Sequence, residues 1–197
     1  MQEAYRRDFS HLTWDQVYTR QVQRSVLAAD WMDALTLKAG DRVLDVGPGP
    51  GFVSLLMAGR VGAEGLVYAI DPAAEALAYL ARLQNERGIR NIQTFAADAA
   101  TVELPGVTVD AALIAMVLHH ADDPAGILRN VARLTKPEGL TVIAEFDPDG
   151  PCEHGPPRQH RLAPRQVQAW CEAAGWSPRA ERRQSPEHYM VLAQRTA

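Results

Sequence analysis

The feature that most constrains this chain is the segment VLDVGPGPG at residues 43–51, which ends with glycine at every second position. Apolar residues precede the glycines, and a run with helical spacing, residues 52–61, follows them. Glycine permits a sharp turn and lets a ligand approach the bare backbone. The start of the following helix offers free N–H groups and the positive end of its dipole to a carboxylate or phosphate. The segment therefore predicts a ligand-binding loop between a strand and a helix.

From residue 41 onward, short apolar runs alternate with longer helical runs. Several of the short runs are continuously apolar, which is typical of strands covered by helices on both faces of a parallel sheet. Strand–helix alternation with right-handed crossovers indicates an α/β fold with a doubly wound sheet. The predicted strands are 42–46, 66–70, 92–96, 111–117 and 140–146, and the predicted helices between them are 52–61, 73–87 and 124–134.

Two regions fall outside this alternation. Residues 10–37 have the apolar spacing of a helix, whereas residues 147–164 contain five prolines and no periodicity. Long loops in compact domains are often functional. A helix over 165–174 and short strands at 179–183 and 188–194 are predicted to follow. We expect residues 1–197 to form a single domain, with a helical cap at 1–38, a cofactor-binding core at 39–146, and a substrate loop, helix and strand pair at 147–197.

Composition narrows the possible partners. The net charge is −4 and the basic residues are scattered, which argues against nucleic acid as an obligatory partner. The longest apolar run, residues 111–118, is far shorter than the roughly 20 residues that span a bilayer, and no apolar signal core is present. Two cysteines, Cys152 and Cys171, fit a reducing compartment. We therefore expect a cytoplasmic protein with no membrane contact.

The glycine spacing discriminates between nucleoside ligands. The dinucleotide fingerprint is G-x-G-x-x-G, whereas this chain has G-x-G-x-G. Asp71, which ends the second predicted strand, suits the ribose hydroxyls of either kind of ligand. An NAD-dependent oxidoreductase of similar fold stays open on spacing alone, although the chain contains no Tyr-x-x-x-Lys pair.

A series of further motifs follows the glycine loop in order: AIDP at 69–72, AADAATVELP at 96–105, VDAALIAMVLHHADDP at 109–124 and LTKPEGL at 134–140. Over residues 40–146 the series resembles class I S-adenosylmethionine-dependent methyltransferases of the small UbiE-like (type 11) branch, which acts on quinones, arsenicals and other small molecules. One departure is Glu138-Gly139, where that family usually has Gly-Gly. The resemblance implies a Rossmann-like methyltransferase fold with a mostly parallel, seven-stranded sheet. It also implies S-adenosyl-L-methionine as cofactor and a small-molecule methyl acceptor.

The resemblance also implies where the cofactor binds. The loop and Asp45 would hold the methionine end, the acidic residue after the second strand the ribose, and the acidic residue after the third strand the adenine amino group. The residues so implied are Asp45, Gly47, Pro48, Gly49, Gly51, Asp71, Pro72, Asp98, Ala99, Met116 and Val117. Simpler roles are open for two of them, because Asp45 also fits a turn carboxylate and Asp98 a helix cap.

Methyl transfer from a sulfonium is an in-line displacement, in which positioning alone contributes about 7–11 kcal/mol. A base is needed only when the nucleophile arrives protonated. His119 and His120 follow the fourth strand and Glu145 ends the fifth, at the sheet edge where ligands bind, so these three are the catalytic candidates. The histidine pair alternatively caps its strand and packs on the cofactor.

The acceptor is expected to lie between the cap and the proline-rich loop. Its candidate contacts are Trp14 and Tyr18 in the cap and Asp147, His154 and His160 in or beside the loop. Cys152 with the two loop histidines has a C-x-H-x₅-H spacing that offers three metal ligands, but the family does not usually need a metal, and we expect none. Because fold does not establish turnover, a non-catalytic cofactor-binding sensor or assembly protein is the other alternative.

Overall fold

A computed structural model describes residues 12–197, so the first part of the predicted cap, residues 1–11, lies outside the described residues. Its seven strands form one sheet in the order β3-β2-β1-β4-β5-β7-β6. The first five strands pair in parallel, and β7 joins β5 and β6 antiparallel. The doubly wound, mostly parallel sheet expected from the sequence is confirmed. The strands are β1 (Arg42–Val46), β2 (Leu66–Asp71), β3 (Ile92–Ala96), β4 (Val109–Ala115), β5 (Thr135–Phe146), β6 (Trp176–Ser185) and β7 (His188–Arg195).

Helices cover both faces of the sheet, which is why its central strands are apolar throughout. One face packs against apolar side chains of α2, α3 and α4, and the other against α5 and α6. Within residues 12–197, no helix has the length and apolar character needed to cross a membrane. The helices are α1 (Trp14–Gln23), α2 (Ser25–Leu35), α3 (Phe52–Val61), α4 (Ala74–Arg87), α5 (Pro124–Leu134) and α6 (Pro164–Ala173), with a 3₁₀ turn at Arg158–His160.

The structure departs from the predicted elements in four places. The fourth strand spans 109–115 rather than 111–117, so the turn begins at Met116, whose backbone is left-handed. The cap helix is two helices joined at Arg24. The fifth strand begins at Thr135 rather than at residue 140, because Thr135 pairs with Val109 and its hydroxyl donates to Val131 O at 2.7 Å. The sixth strand is the longer segment 176–185. These departures lengthen, shift or divide elements without changing their order.

Because β1 to β5 are parallel, their carboxyl ends lie at one edge of the sheet. The glycine loop follows β1, Asp71 ends β2, Asp98 follows β3 and Met116 follows β4. Ligands of open α/β sheets bind at this carboxyl edge. The predicted cofactor residues, which are scattered along the sequence, therefore share one side of the molecule.

Candidate functional site

Two positions of the loop require glycine, because the backbone is left-handed there and neighbouring side chains lie close. Gly47 has φ +65°, and a Cβ atom there would lie 2.5 Å from Val117 Cγ2. Gly51, at the start of α3, has φ +90°, and a Cβ atom would lie 2.4 Å from Leu80 Cδ1. A left-handed backbone in close contact with neighbouring side chains excludes larger residues. The loop therefore presents bare backbone at the carboxyl edge.

Asp71 connects the end of β2 to this loop. One carboxylate oxygen accepts a hydrogen bond from Gly49 N at 2.9 Å and the other from Ala73 N at 2.8 Å. Burial raises the pKa of Asp71, and the two backbone hydrogen bonds oppose that rise. Each carboxylate oxygen has a second lone pair, so Asp71 can also accept from ligand hydroxyls. Its neighbour Pro72 is exposed.

Asp45 is buried and supports the start of α3. Its carboxylate accepts from Ser54 Oγ at 2.6 Å, and only 3% of the residue is exposed. Burial raises the pKa of Asp45 to about 7; the Ser54 hydrogen bond lowers it, and the charge of Asp71 raises it further. Asp45 therefore acts as a turn carboxylate with its own hydrogen-bond partner. A direct contact of Asp45 with the ligand stays a prediction.

We expect the stability of an Asp45→Asn variant, relative to the unchanged protein, to increase between pH 5 and pH 7. The folded protein keeps the Asp45 proton up to about pH 7, whereas the unfolded chain loses it near pH 4. The unchanged protein therefore loses stability as the pH rises through this interval, and asparagine, which does not titrate, loses none. Urea unfolding of both proteins at each pH measures the difference. A difference that does not vary with pH would contradict the assigned pKa.

Asp98 is exposed beyond β3, in a turn held by α5. Its carboxylate accepts from Ala100 N at 2.8 Å, which is a local capping contact. The Asn130 amide donates to Ala99 O and to Val102 O, both at 2.9 Å. Asn130 was not predicted as a site residue, although a polar side chain on the buried face of a predicted helix is a signal for such a role. One Asp98 oxygen is thus left to accept from a ligand amino group.

The turn after β4 is strained and touches the glycine loop. Met116 has φ +59°, and its N–H donates to Ala144 O at 2.8 Å. Val117 packs on Gly47, as described above. Left-handed backbone at a non-glycine residue has an energetic cost and is frequent at ligand sites. The predicted neighbours of the methionine end therefore adjoin the loop.

His119 and Glu145 form a buried pair between β4 and β5. His119 Nδ1 lies 2.5 Å from one Glu145 oxygen, and the other oxygen accepts from Leu118 N at 2.8 Å. The side chains are 1% and 0% exposed. His120, which is partly exposed, packs against His119 with 4.0 Å between ring centroids and 42° between the ring planes. Of the three catalytic candidates, His120 is the most accessible, and the burial of the other two favours a positioning role.

Comparison with known proteins assigns the chain to a family. A family model described as a methyltransferase domain matches residues 44–143 of the 197. This chain belongs to the methyltransferase domain family. The matched segment runs from β1 into β5 and includes the glycine loop, Asp71, Asp98 and Met116.

Individual relatives of this methyltransferase domain agree with that assignment. The ubiquinone biosynthesis O-methyltransferase of Albidiferax ferrireducens is 35% identical over 144 residues, which are 71% of this chain and 56% of that protein. The demethylmenaquinone methyltransferase of Geobacillus stearothermophilus is 29% identical over 59% of this chain and 50% of that protein. The chain thus spans little more than half the length of these relatives. A solved SAM-dependent methyltransferase from Aquifex aeolicus superposes with a TM-score of 0.84 at 26% identity, covering 94% of this chain and all of that one.

The cap of the methyltransferase domain packs on the glycine loop through Gln21. The Gln21 amide nitrogen donates to Pro48 O at 2.9 Å, and its oxygen accepts from Phe52 N at 3.1 Å. Gln21 therefore satisfies a free N–H group at the start of α3 and fixes the loop carbonyl. The predicted cap residue Tyr18 contacts Phe52 and Tyr79, so it packs on α3 and α4. No sequence motif pointed to Gln21 as a site residue.

We expect a Gln21→Ala substitution to weaken S-adenosylhomocysteine binding about five- to ten-fold. The variant leaves two loop groups without their partner, and a typical hydrogen bond contributes about 0.5–1.5 kcal/mol. Calorimetric titration measures the affinity, and Gln23→Ala, at an exposed position of the same helix, is the matched control. Equal affinities of the two variants would show that Gln21 does not position the loop.

The predicted acceptor contacts in and beside the proline-rich loop have protein partners. Asp147 accepts from Arg183 Nε at 3.0 Å, and His154 lies 3.2 Å from a Glu187 oxygen with 74% of its side chain exposed. Cys152 and the loop histidines do not converge, since the described part of the chain holds no group of three or more potential metal ligands. Trp14 and His160 are partly exposed. Acceptor binding by Trp14, Tyr18, Asp147, His154 and His160 stays a prediction.

Proposed function

We propose that this chain transfers a methyl group from S-adenosyl-L-methionine to a small-molecule acceptor by in-line displacement. The observation that carries the proposal is the convergence of the glycine loop, Asp71 and Asp98 at the carboxyl edge of the sheet, in a chain of the methyltransferase domain family. The G-x-G-x-G spacing and Asp98 distinguish this site from a dinucleotide site.

The residues present fit such a cofactor. The oxygens of Asp71 that already accept backbone N–H groups have lone pairs for both ribose hydroxyls, and exposed Asp98 has one for the adenine amino group. Glycine at 47 and 51 permits the left-handed turn that brings the loop backbone to this edge, where the methionine end would bind. The sulfonium supplies an activated methyl group. The chain contributes positioning and exclusion of water, which need no nucleophilic side chain.

The acceptor is a small molecule, and a quinol or catechol hydroxyl is the acceptor group that we favour. Support comes from the relatives named for ubiquinone biosynthesis and for demethylmenaquinone. A hydroxyl nucleophile arrives protonated, so a base assists it. His120 is the candidate base, with His119 and Glu145 positioning it through the contact between the two histidine rings. We also place the protein in the cytoplasm, consistent with two cysteines that form no disulfide.

The test is product formation with a panel of catechols and reduced quinones and with methyl-labelled S-adenosylmethionine. We expect S-adenosylhomocysteine and labelled product to form in equal amounts with at least one acceptor. The Asp71→Ala variant should form less of both at limiting cofactor. Cofactor binding without turnover on any member of the panel would instead favour a cofactor-binding sensor.

A further inference from the structure

Aromatic and cationic groups surround the end of β5. The Phe146 ring lies 5.4 Å from the Arg24 guanidinium carbon, 5.2 Å from that of Arg161 and 4.7 Å from the His188 ring centroid. The Phe146 ring also contacts His119, at 5.5 Å between centroids. We name Arg24, Phe146, Arg161 and His188 the Phe146 cluster. Through His119 it adjoins the turn after β4, so it lies at the carboxyl edge beside the proposed cofactor site.

Arg24 has no ion-pair partner among residues 12–197. It comes from the junction of α1 and α2, and no carboxylate of residues 12–197 lies within 4.0 Å of its guanidinium. Burial and the nearby charge of Arg20 lower its pKa. A largely buried charge without a partner has a high free-energy cost. An anion bound beside Arg24 would reduce that cost.

The carboxylate of Glu187, which attracts Arg24, is engaged by other groups. It accepts from Glu153 N at 2.8 Å and from His154 N at 3.2 Å, and it pairs with Arg161 at 3.4 Å. Arg161 is fully buried and also donates to three backbone carbonyl oxygens, those of Asp147, His154 and Pro156. Glu187 therefore balances Arg161 at close range and attracts Arg24 only from a distance. The unpaired charge of the cluster is that of Arg24.

His188 provides a second unpartnered group. The residue is 8% exposed, and its Nε2 atom is buried without a hydrogen-bond partner. Its Nδ1 atom lies 2.8 Å from Ser185 Oγ, which already accepts from Glu187 N at 3.1 Å. The Ser185 hydroxyl and Nδ1 share one proton, and the direction of that hydrogen bond follows the tautomer of the ring. Burial and the charge of Arg24 lower the pKa of His188 to about 4, so the ring is neutral at pH 7. In the tautomer that accepts from Ser185, Nε2 carries the ring proton and has no acceptor within residues 12–197.

We propose that Arg24 and the Nε2 atom of His188, in the tautomer that carries its proton there, bind an anionic oxygen group of the methyl acceptor, a carboxylate or an ionised hydroxyl. This rests on the proposed function, since it places the acceptor beside the cofactor site. A guanidinium and an imidazole N–H both donate to oxygen, and charge-assisted hydrogen bonds are roughly twice as strong as neutral ones. The site therefore selects acceptors by charge.

The test uses benzoate and its uncharged isostere benzamide, titrated calorimetrically into protein saturated with S-adenosylhomocysteine. We expect benzoate to bind about ten-fold or more tightly than benzamide. Arg24→Gln should abolish the preference, and Arg24→Lys should retain part of it. Arg20→Gln, which removes an exposed cation from the same helix, is the matched control and should keep the preference. The affinity for S-adenosylhomocysteine should be unchanged in all three variants.

Two failures are distinguishable. Protein that does not bind S-adenosylhomocysteine at all contradicts the proposed function. A second outcome is that the protein binds S-adenosylhomocysteine but binds neither probe, or binds benzoate and benzamide equally. That outcome is compatible with the proposed function and contradicts the anion site. A benzoate preference that persists in folded Arg24→Gln would likewise overturn the assignment to Arg24.

Discussion

Replacing Asp71 with alanine is expected to weaken S-adenosylhomocysteine binding about ten- to hundred-fold. The carboxylate has two roles in this account: it holds Gly49 N and Ala73 N, and it accepts from the ribose hydroxyls. Hydrogen bonds to a charged group contribute about 1.5–3 kcal/mol each, so losing even one of the ribose contacts gives this effect. Calorimetric titration of the folded variant measures it.

The control for this variant is Glu75→Ala, which removes an exposed carboxylate from the first turn of α4, close in sequence to Asp71. It should leave the affinity within about two-fold of the unchanged protein. Circular dichroism and a melting curve establish that both variants are folded. An unchanged affinity in folded Asp71→Ala would mean that Asp71 serves only to order the turn and the loop.

Glu145→Ala is expected to lower the free energy of unfolding by about 3–5 kcal/mol. Glu145 is fully buried, and it accepts from His119 Nδ1 and from Leu118 N. Removing one partner of a buried, hydrogen-bonded pair leaves the other without compensation, which is why the loss is large. The variant also creates a cavity between β5 and the turn after β4. Urea unfolding with linear extrapolation measures the difference.

The matched control is Glu64→Ala, at an exposed turn position, which should change stability by less than about 0.5 kcal/mol. The same pair of variants separates the positioning role from direct catalysis. If Glu145→Ala kept its stability yet lost turnover, Glu145 would act on the acceptor, and the positioning role assigned to it would be wrong.

The sequence was sufficient for the sheet and the cofactor edge because their signals are local. Helix α3 was predicted within its observed bounds, since the glycines before it and the apolar spacing along it lie in one short segment. The edge followed from the rule that parallel strands end together, which placed Asp71 and Asp98 on the same side of the sheet as the loop. The UbiE-like resemblance rested on the same contiguous motifs, and the family match confirms it.

The contacts that the sequence did not predict are long-range. Gln21 reaches a carbonyl 27 residues further along the chain, and Asn130 reaches one 31 residues earlier. Arg24 lies over Phe146 because the cap bends there, and no periodicity marks that bend. Conversely, His119 and Glu145 were assigned to catalysis from their position at the edge, whereas their burial depends on how the strands pack. Polar residues at an edge thus need tertiary contacts before their role can be assigned.

The measurement that tests this account most directly is paired calorimetric titration of the unchanged protein with S-adenosylhomocysteine and with NAD. We predict that S-adenosylhomocysteine binds at one site per chain and raises the melting temperature, because a ligand that binds only the folded state stabilises it by mass action. NAD should do neither, since the loop has the G-x-G-x-G spacing and we propose that Asp98 accepts from the adenine amino group of S-adenosylhomocysteine. Binding of NAD with no response to S-adenosylhomocysteine would contradict the account.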